Sequence, residues 1–231
     1  MANNRTAPDV PSASDAAASR ESPAASRESP AGNAAKRRAD KIAGRRDELA
    51  RATLRTLAEL GYARTSLREI AANSEYSHGV LHYYFIDKVD LISHCVRLYK
   101  TECVARYDDL VAGASEAGAL RSGFAERLAQ TLVDDNEMHR LWYDLRSQSM
   151  FEQVFAPDVQ AIDTNLEQMI WRVVERYAEL SHSMPTVDAR TAYAALDGLF
   201  VQALVRYSHG TADAPHRLRE QAFELLPRLI A

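Results

Sequence analysis

The residues of this chain best placed to do chemistry lie in Thr65–Leu91, the segment TSLREIAANSEYSHGVLHYYFIDKVDL. Ser66 and Glu69 form an S-x-x-E pattern, in which each side chain accepts a hydrogen bond from a free amide at a helix start. Ser77 and Asp87 can cap two further helices. A short helix, a tight turn and a second helix form the unit that places a helix in the major groove of DNA. The segment therefore predicts a helix-turn-helix and a double-stranded DNA partner.

The second of these helices, residues 77–84, contains no Arg, Lys, Asn or Gln, the side chains that make bidentate contacts to bases. Direct reading of bases therefore depends on Ser77, His78, His82 and the methyl groups of Val80. We hypothesise that specific base contacts are few, and that thymine methyl groups and DNA shape carry much of the preference.

A basic run precedes this segment. Its six cations within eleven residues are Lys36, Arg37, Arg38, Lys41, Arg45 and Arg46. In most proteins such a run is a solvated, partly helical charged face. Because this run adjoins a predicted helix-turn-helix, we expect contact with phosphate or with the minor groove, with Arg37 and Arg38 among the contacts. Residues 36–91 carry 11 basic and 8 acidic side chains, whereas residues 92–231 carry 14 basic and 20 acidic.

The elements that position these residues are predicted to be helices, because apolar residues recur at helical spacing and no alternating strand pattern occurs. Ala50, Leu54, Leu57 and Leu60 predict a first helix that ends at Gly61. A longer stripe consists of Ile92, Val96, Tyr99, Cys103 and Tyr107. No proline occurs between residues 31 and 156. We predict an all-α protein of about nine or ten helices.

Three regions follow from composition. Residues 1–35 contain no aromatic residue and predict a disordered tail, either regulatory or a neutral expansion. Residues 36–91 are predicted to be the helix-turn-helix DNA-binding domain. Residues 92–231 are predicted to be a helical domain for effector binding and dimerisation.

The sequence resembles the DNA-binding domain of TetR-type transcriptional repressors over residues 44–91. The matching residues are Gly61-Tyr62, Thr65 to Ala71, Ser77, Gly79, Leu81, Tyr83, Phe85, Lys88 and Leu91. Trp142 and the segment Leu196–Leu199 loosely resemble betaine-regulator-type members. The resemblance implies a homodimer that binds palindromic DNA and releases it when a small molecule occupies the C-terminal domain.

The same resemblance implies roles for individual residues. Thr65, Tyr83 and Lys88 would contact phosphates, and Gly79 would allow close approach of the backbone to DNA; the alternative for Tyr83 is a packed core aromatic. The turn departs from the usual Ala-Gly-Val-Ser, because Glu75 stands where the family has glycine. If that position needs positive φ, the glutamate costs about 1 kcal/mol.

The C-terminal domain offers candidates for a ligand cavity and a dimer interface, each of which could instead be plain core. The ligand candidates are Tyr99, Cys103, Trp142, Arg146, Met150, Phe151 and Trp171. The dimer candidates lie on predicted helices 158–182 and 188–208, and are Val173, Tyr177, Leu196, Gly198, Phe200 and Ala203. The effector itself is not readable from spacing.

Several classes of protein are disfavoured. The two cysteines cannot make a disulfide framework, and no apolar run approaches the roughly 18 residues of a membrane helix. We expect a cytoplasmic protein without metal or cofactor, since no ligand spacing, nucleophile elbow or phosphate-binding loop occurs. The alternatives to a ligand-responsive repressor are an architectural DNA-binding dimer without effector and, as a weaker option, a helical enzyme.

Overall fold

The computed structural model describes the backbone of residues 30–60 and 65–231, and the side chains of residues 34–54, 56, 57, 59 and 65–231. This part of the chain contains nine α-helices and no named strand. The helices are α1 Pro30–Leu60, α2 Leu67–Ala72, α3 His78–Tyr84, α4 Lys88–Gly113, α5 Ala117–Asp134, α6 Asn136–Gln148, α7 Ala156–Leu180, α8 Ala189–Ser208 and α9 Ala214–Leu225. The predicted all-α class is confirmed.

The caps predicted from sequence begin three of these helices. The amide of Glu69 donates to Ser66 Oγ at 3.2 Å, and the amide of Ser66 donates to Glu69 Oε2 at 2.8 Å. Ser77 and Asp87 each accept a hydrogen bond from the amide three residues on, at 3.3 and 2.9 Å. Because each cap satisfies an amide that the helix leaves free, α2, α3 and α4 begin at defined residues.

Both predicted boundaries between regions fall inside helices. The first helix begins at Pro30, so residues 30–35 are helical rather than part of the predicted disordered tail. The boundary between residues 91 and 92 lies within α4, which runs without interruption from Lys88 to Gly113. Residues 1–29 and the predicted helix end at Gly61 lie outside the described residues.

The helix-turn-helix contacts α1 through buried apolar residues and one arginine. Arg46 donates to the Tyr84 carbonyl at 2.8 Å and to Asp90 Oδ1 at 2.5 Å, and its guanidinium lies 4.5 Å from the Phe85 ring centroid. Arg45 pairs with Glu48. Two of the six cations of the basic run are therefore engaged in contacts within the protein, and neither is Arg37 or Arg38, the two named as expected DNA contacts.

The C-terminal helices contribute most of the residues of the hydrophobic core, which is continuous with that of the helix-turn-helix. Helix α7 packs on α4 and α8, and α9 packs on α5 and α8. Proline stands in the first turn of α7 and of α9, where its missing amide costs no helical hydrogen bond. Within the described part of the chain, no helix is long and apolar enough to cross a membrane.

Candidate DNA-binding surface and ligand cavity

Helix α3 presents most of its polar residues to solvent. Ser77, His78, Gly79 and His82 are exposed, whereas Val80 is half-buried against the core. The rings of His78 and His82 meet edge to face, with centroids 4.5 Å apart. The histidines proposed to read bases therefore share one accessible face.

Tyr83 lies on the surface of the helix-turn-helix. Tyr83 is 75% exposed, whereas Leu81 and Phe85 are buried and fill the core beneath α3. The alternative in which Tyr83 is a packed core aromatic is wrong. An exposed phenol at the end of a recognition helix is well placed to donate to a phosphate.

Other expected contacts are less accessible. Thr65 is 4% exposed, so its side chain presents little surface to a phosphate, contrary to the expectation. Lys88, the first residue of α4, is half-buried, and Arg37 and Arg38 are exposed on α1. Among the described non-glycine residues only His182 has positive φ, so Glu75 carries none of the strain considered above.

A cavity lies among helices α4 to α8. Its cavity volume is about 60 Å³, and it is partly open to solvent. Its lining is mainly aromatic and aliphatic, with a few polar groups. The residues are Lys100, Cys103, Tyr107, Leu128, Thr131, His139, Trp142, Tyr143, Leu166, Met169, Ile170, Tyr193, Leu196, Asp197 and Phe200.

Lys100 is the cation of this cavity. Its Nζ lies 3.1 Å from His139 Nδ1, and His139 Nε2 lies 3.0 Å from the Tyr99 hydroxyl. The ammonium also lies 5.4 Å from the centroid of the Trp142 ring. Burial lowers the pKa of Lys100 to about 8, so the group is mostly protonated at neutral pH.

The protonation of His139 follows from its two neighbours. Burial, reinforced by the Lys100 charge, lowers the pKa of His139 well below its ordinary value, so the ring is neutral. Because an ammonium can only donate, Nδ1 accepts from Lys100. We therefore assign the ring proton to Nε2, which donates to the Tyr99 hydroxyl.

A second polar network lies beside Asp197. Arg146 donates to Asp197 Oδ2 at 2.7 Å and pairs with Asp163 at 3.3 Å. The hydroxyls of Tyr143 and Tyr193 donate to Asp197 and Asp163, each at 2.7 Å. Burial, then the Asp197 charge, raises the pKa of both tyrosines, so they remain neutral donors. The carboxylates of this network are thus already paired.

Comparison with known proteins agrees with this arrangement. Residues 49–95 match the family model described as bacterial regulatory proteins, tetR family. Over 177 residues the chain is 28% identical to the HTH-type transcriptional regulator BetI of Stenotrophomonas maltophilia, covering 75% of this chain and 88% of the relative. The family match identifies residues 49–95 as a tetR-type DNA-binding helix-turn-helix segment. The chain is a transcriptional regulator.

Two solved structures share the fold. A TetR transcription regulator from Haloarcula marismortui superposes with a TM-score of 0.68 at 20% identity, covering 82% of this chain and all of the other. A transcriptional regulator from Saccharomonospora viridis, solved in complex with choline, gives 0.67 at 16% identity, covering 81% and 98%. The identity to both is low, so they support the fold alone.

The ligand candidates named from sequence divide into two groups. Cys103 and Trp142 line the cavity, Tyr99 supports His139, and Arg146 holds Asp197. Cys103 and Trp142 remain proposed ligand residues, whereas Tyr99 and Arg146 do not line the cavity themselves.

Three other candidates do not reach the cavity. Met150 and Phe151 are 73% and 83% exposed, because α6 ends at Gln148 and the following turn carries them to the surface. Trp171 lines a separate surface groove with Met184 and Pro185, since it lies about 100° round α7 from Ile170. The prediction that these three line the cavity is wrong.

The dimer candidates are placed differently from the prediction. Val173, Tyr177, Leu196, Phe200 and Ala203 are buried within the chain's own core. Their side chains pack against neighbouring helices of the same chain, so they are not available to a second subunit. Gly198 is half-buried, and no side-chain atom lies within 4 Å of the position of a Cβ there. A proposed interface on α7 and α8 must therefore use their outer faces.

The sequence interpretation missed Lys100 and His139 as cavity residues. The signal for Lys100 was present, because it lies four residues after Val96 and three before Cys103, on the apolar stripe of α4. A lysine on such a stripe is unusual and indicates either a partner or a ligand. His139 gave no comparable signal.

Proposed function

We propose that this regulator is a repressor that binds palindromic double-stranded DNA as a homodimer and leaves it when a small molecule occupies the α4–α8 cavity. The observation that carries the proposal is that one helix, α4, begins beside α3 and also lines the cavity through Lys100 and Cys103. The Saccharomonospora viridis regulator of the same fold was solved in complex with choline, so a protein of this fold can hold a small molecule.

The palindrome follows from the size of the recognition helix. Seven residues of α3 span about 10 Å at about 1.5 Å per residue, so one subunit reads one face of a groove. A twofold dimer places two such helices about 34–36 Å apart or at a multiple of that spacing, and this favours inverted half-sites. The outer faces of α7 and α8 are the proposed contact between subunits.

Coupling between ligand and DNA would run along α4. Lys88 and Lys100 are twelve residues apart, which corresponds to about 18 Å of helix. The start of α4 is tied to α1 and to the end of α3 through Arg46, Asp90 and the Tyr84 carbonyl. A ligand that shifts α4 would therefore also change the position of α3.

The experiment is selection of DNA fragments on the purified protein, followed by anisotropy of a labelled selected duplex and sedimentation of the free protein. We expect inverted repeats, a dimer at micromolar concentration and release of DNA by one class of small molecule. A monomeric protein, or enrichment of a single direct half-site, would contradict the proposal.

The cavity distinguishes this proposal from an architectural DNA-binding dimer without effector. An architectural dimer needs no apolar cavity, whereas effector sites are mostly apolar cavities with a few polar groups. If no compound from a metabolite screen changed DNA affinity, although compounds bound the cavity, the architectural alternative would replace the repressor proposal.

A further inference from the structure

We propose that the effector carries a carboxylate, which binds between the ammonium of Lys100 and the indole N–H of Trp142. This inference rests on the proposed function, since it names the chemical class of the ligand for the same cavity. The occupant would be a small organic acid with an apolar body.

The first observation is the isolation of the Lys100 charge. The residue is 5% exposed, and its hydrogen-bond partner among the described residues is the neutral ring of His139. No carboxylate oxygen of a described residue makes an ion pair with its Nζ. Buried charges in proteins are normally paired with an opposite charge, so the Lys100 ammonium lacks an anionic partner.

The nearby carboxylates are engaged elsewhere. Asp135 pairs with Arg106 at 3.0 Å, while Asp163 and Asp197 both pair with Arg146. Tyrosine hydroxyls hold the last two carboxylates in place as well. A side-chain rearrangement that brought one of these aspartates to Lys100 would break existing ion pairs.

The second observation is independent and concerns Trp142. Its indole N–H is buried, and it has no hydrogen-bond acceptor among the described residues. The ring lies 5.4 Å from the Lys100 ammonium, so the two donors belong to the same part of the cavity. A buried donor without an acceptor is costly, and a carboxylate has two oxygens that can accept from both groups.

The remaining lining defines the body of the ligand. Leu128, Leu166, Met169, Ile170 and Phe200 supply an apolar wall. Burial of hydrocarbon against this wall would add to binding in proportion to the area covered. An aliphatic or aromatic monocarboxylic acid fits this combination better than a cation, because a cation would meet the charge of Lys100.

Matched probes test the charge directly. Hexanoate and benzoate are compared with hexanamide, benzamide and choline, by thermal shift and by calorimetry in a buffer without carboxylate. We expect the acids to raise the melting temperature and their amides to bind at least about tenfold more weakly, because a charge-assisted hydrogen bond is lost.

Substitutions then assign the binding groups. Lys100→Met should weaken hexanoate or benzoate binding by about tenfold or more, whereas Lys100→Arg should retain part of it. Trp142→Phe removes the N–H but keeps an aromatic ring, and should weaken binding about 3- to 10-fold. Trp171→Phe and Arg140→Met, a tryptophan outside the cavity and an exposed cation on α6, are the matched controls.

The outcomes separate this inference from the proposed function. If neither acid binds, or if acid and amide bind equally, or if choline binds and Lys100→Met strengthens it, the carboxylate assignment is overturned. If the acids bind through Lys100 but leave DNA affinity unchanged, the ligand class stands and the repressor mechanism fails. If a compound without a carboxylate binds the cavity and releases the DNA, the repressor mechanism stands and the carboxylate assignment fails.

Discussion

Replacement of Lys100 by Met should change how the stability of the protein depends on pH. Burial lowers the pKa of this lysine from 10.5 to about 8, so between these values the unfolded chain holds a proton that the folded chain has lost. Stability rises with pH wherever the unfolded state binds more protons. The wild-type protein should therefore gain stability relative to the variant from pH 8 to 10.5. The interval between the two pKa values corresponds to about 3 kcal/mol.

Urea unfolding of both proteins at equal protomer concentration, at several pH values from 7 to 10, measures this difference. The buried tyrosines of the cavity also have raised pKa values, so their titration affects the stability above pH 10. Both proteins contain these tyrosines, and the effect therefore cancels in the difference between them. At pH 7 the variant should be the more stable, less the cost of leaving His139 Nδ1 without a donor. A difference that stayed constant from pH 7 to 10 would refute the burial of a titrating lysine.

Three further predictions concern the DNA-binding part. Tyr83→Phe should weaken binding to operator and to random DNA alike, while His78→Ala should lower the ratio between the two; anisotropy with both duplexes checks this, and an equal loss for His78→Ala would contradict base reading. Ser66→Ala should cost about 1 kcal/mol of unfolding free energy, measured in urea against Ser208→Ala as an exposed control. Replacing Lys36, Arg37, Arg38 and Lys41 by Gln should flatten the slope of log affinity against log salt by about 2–3. An unchanged slope would show that the basic run is a solvated charged face without DNA contact.

The parts of the fold that were predicted correctly depend on local signals. A serine three residues before a glutamate satisfies amides within the same turn, so the start of α2 was readable without knowledge of its neighbours. The exposure of Tyr83 also followed locally, because Leu81 and Phe85 supply the buried face of the same short helix. The proposed DNA-binding surface therefore lies almost entirely in one continuous segment.

The failures share a different cause. Met150 and Phe151 are large and apolar, and the sequence offers no sign that α6 ends just before them. Leu196 and Phe200 form an apolar stripe on α8, but such a stripe indicates only that it is buried, and not whether the same subunit or a second one covers it. In this chain the covering elements are helices of the same subunit, so residues suited to an interface instead line a cavity.

Lys100 shows which features of a site can be predicted from the sequence and which cannot. Its position on the α4 stripe, in register with Val96 and Cys103, was visible in the sequence and distinguished it from an ordinary surface lysine. Its chemistry was not visible, because the neutral acceptor comes from His139 on α6 and the aromatic face comes from Trp142 on the same helix. The same lysine could extend its stem along an apolar surface and keep its charge in water. Only the packing of α6 against α4 removes that option, and with it the water that would otherwise solvate the charge. The proposed ligand site, which depends on contacts some forty residues apart, is therefore a property of the packed helices, whereas the proposed DNA-binding surface is a property of one segment.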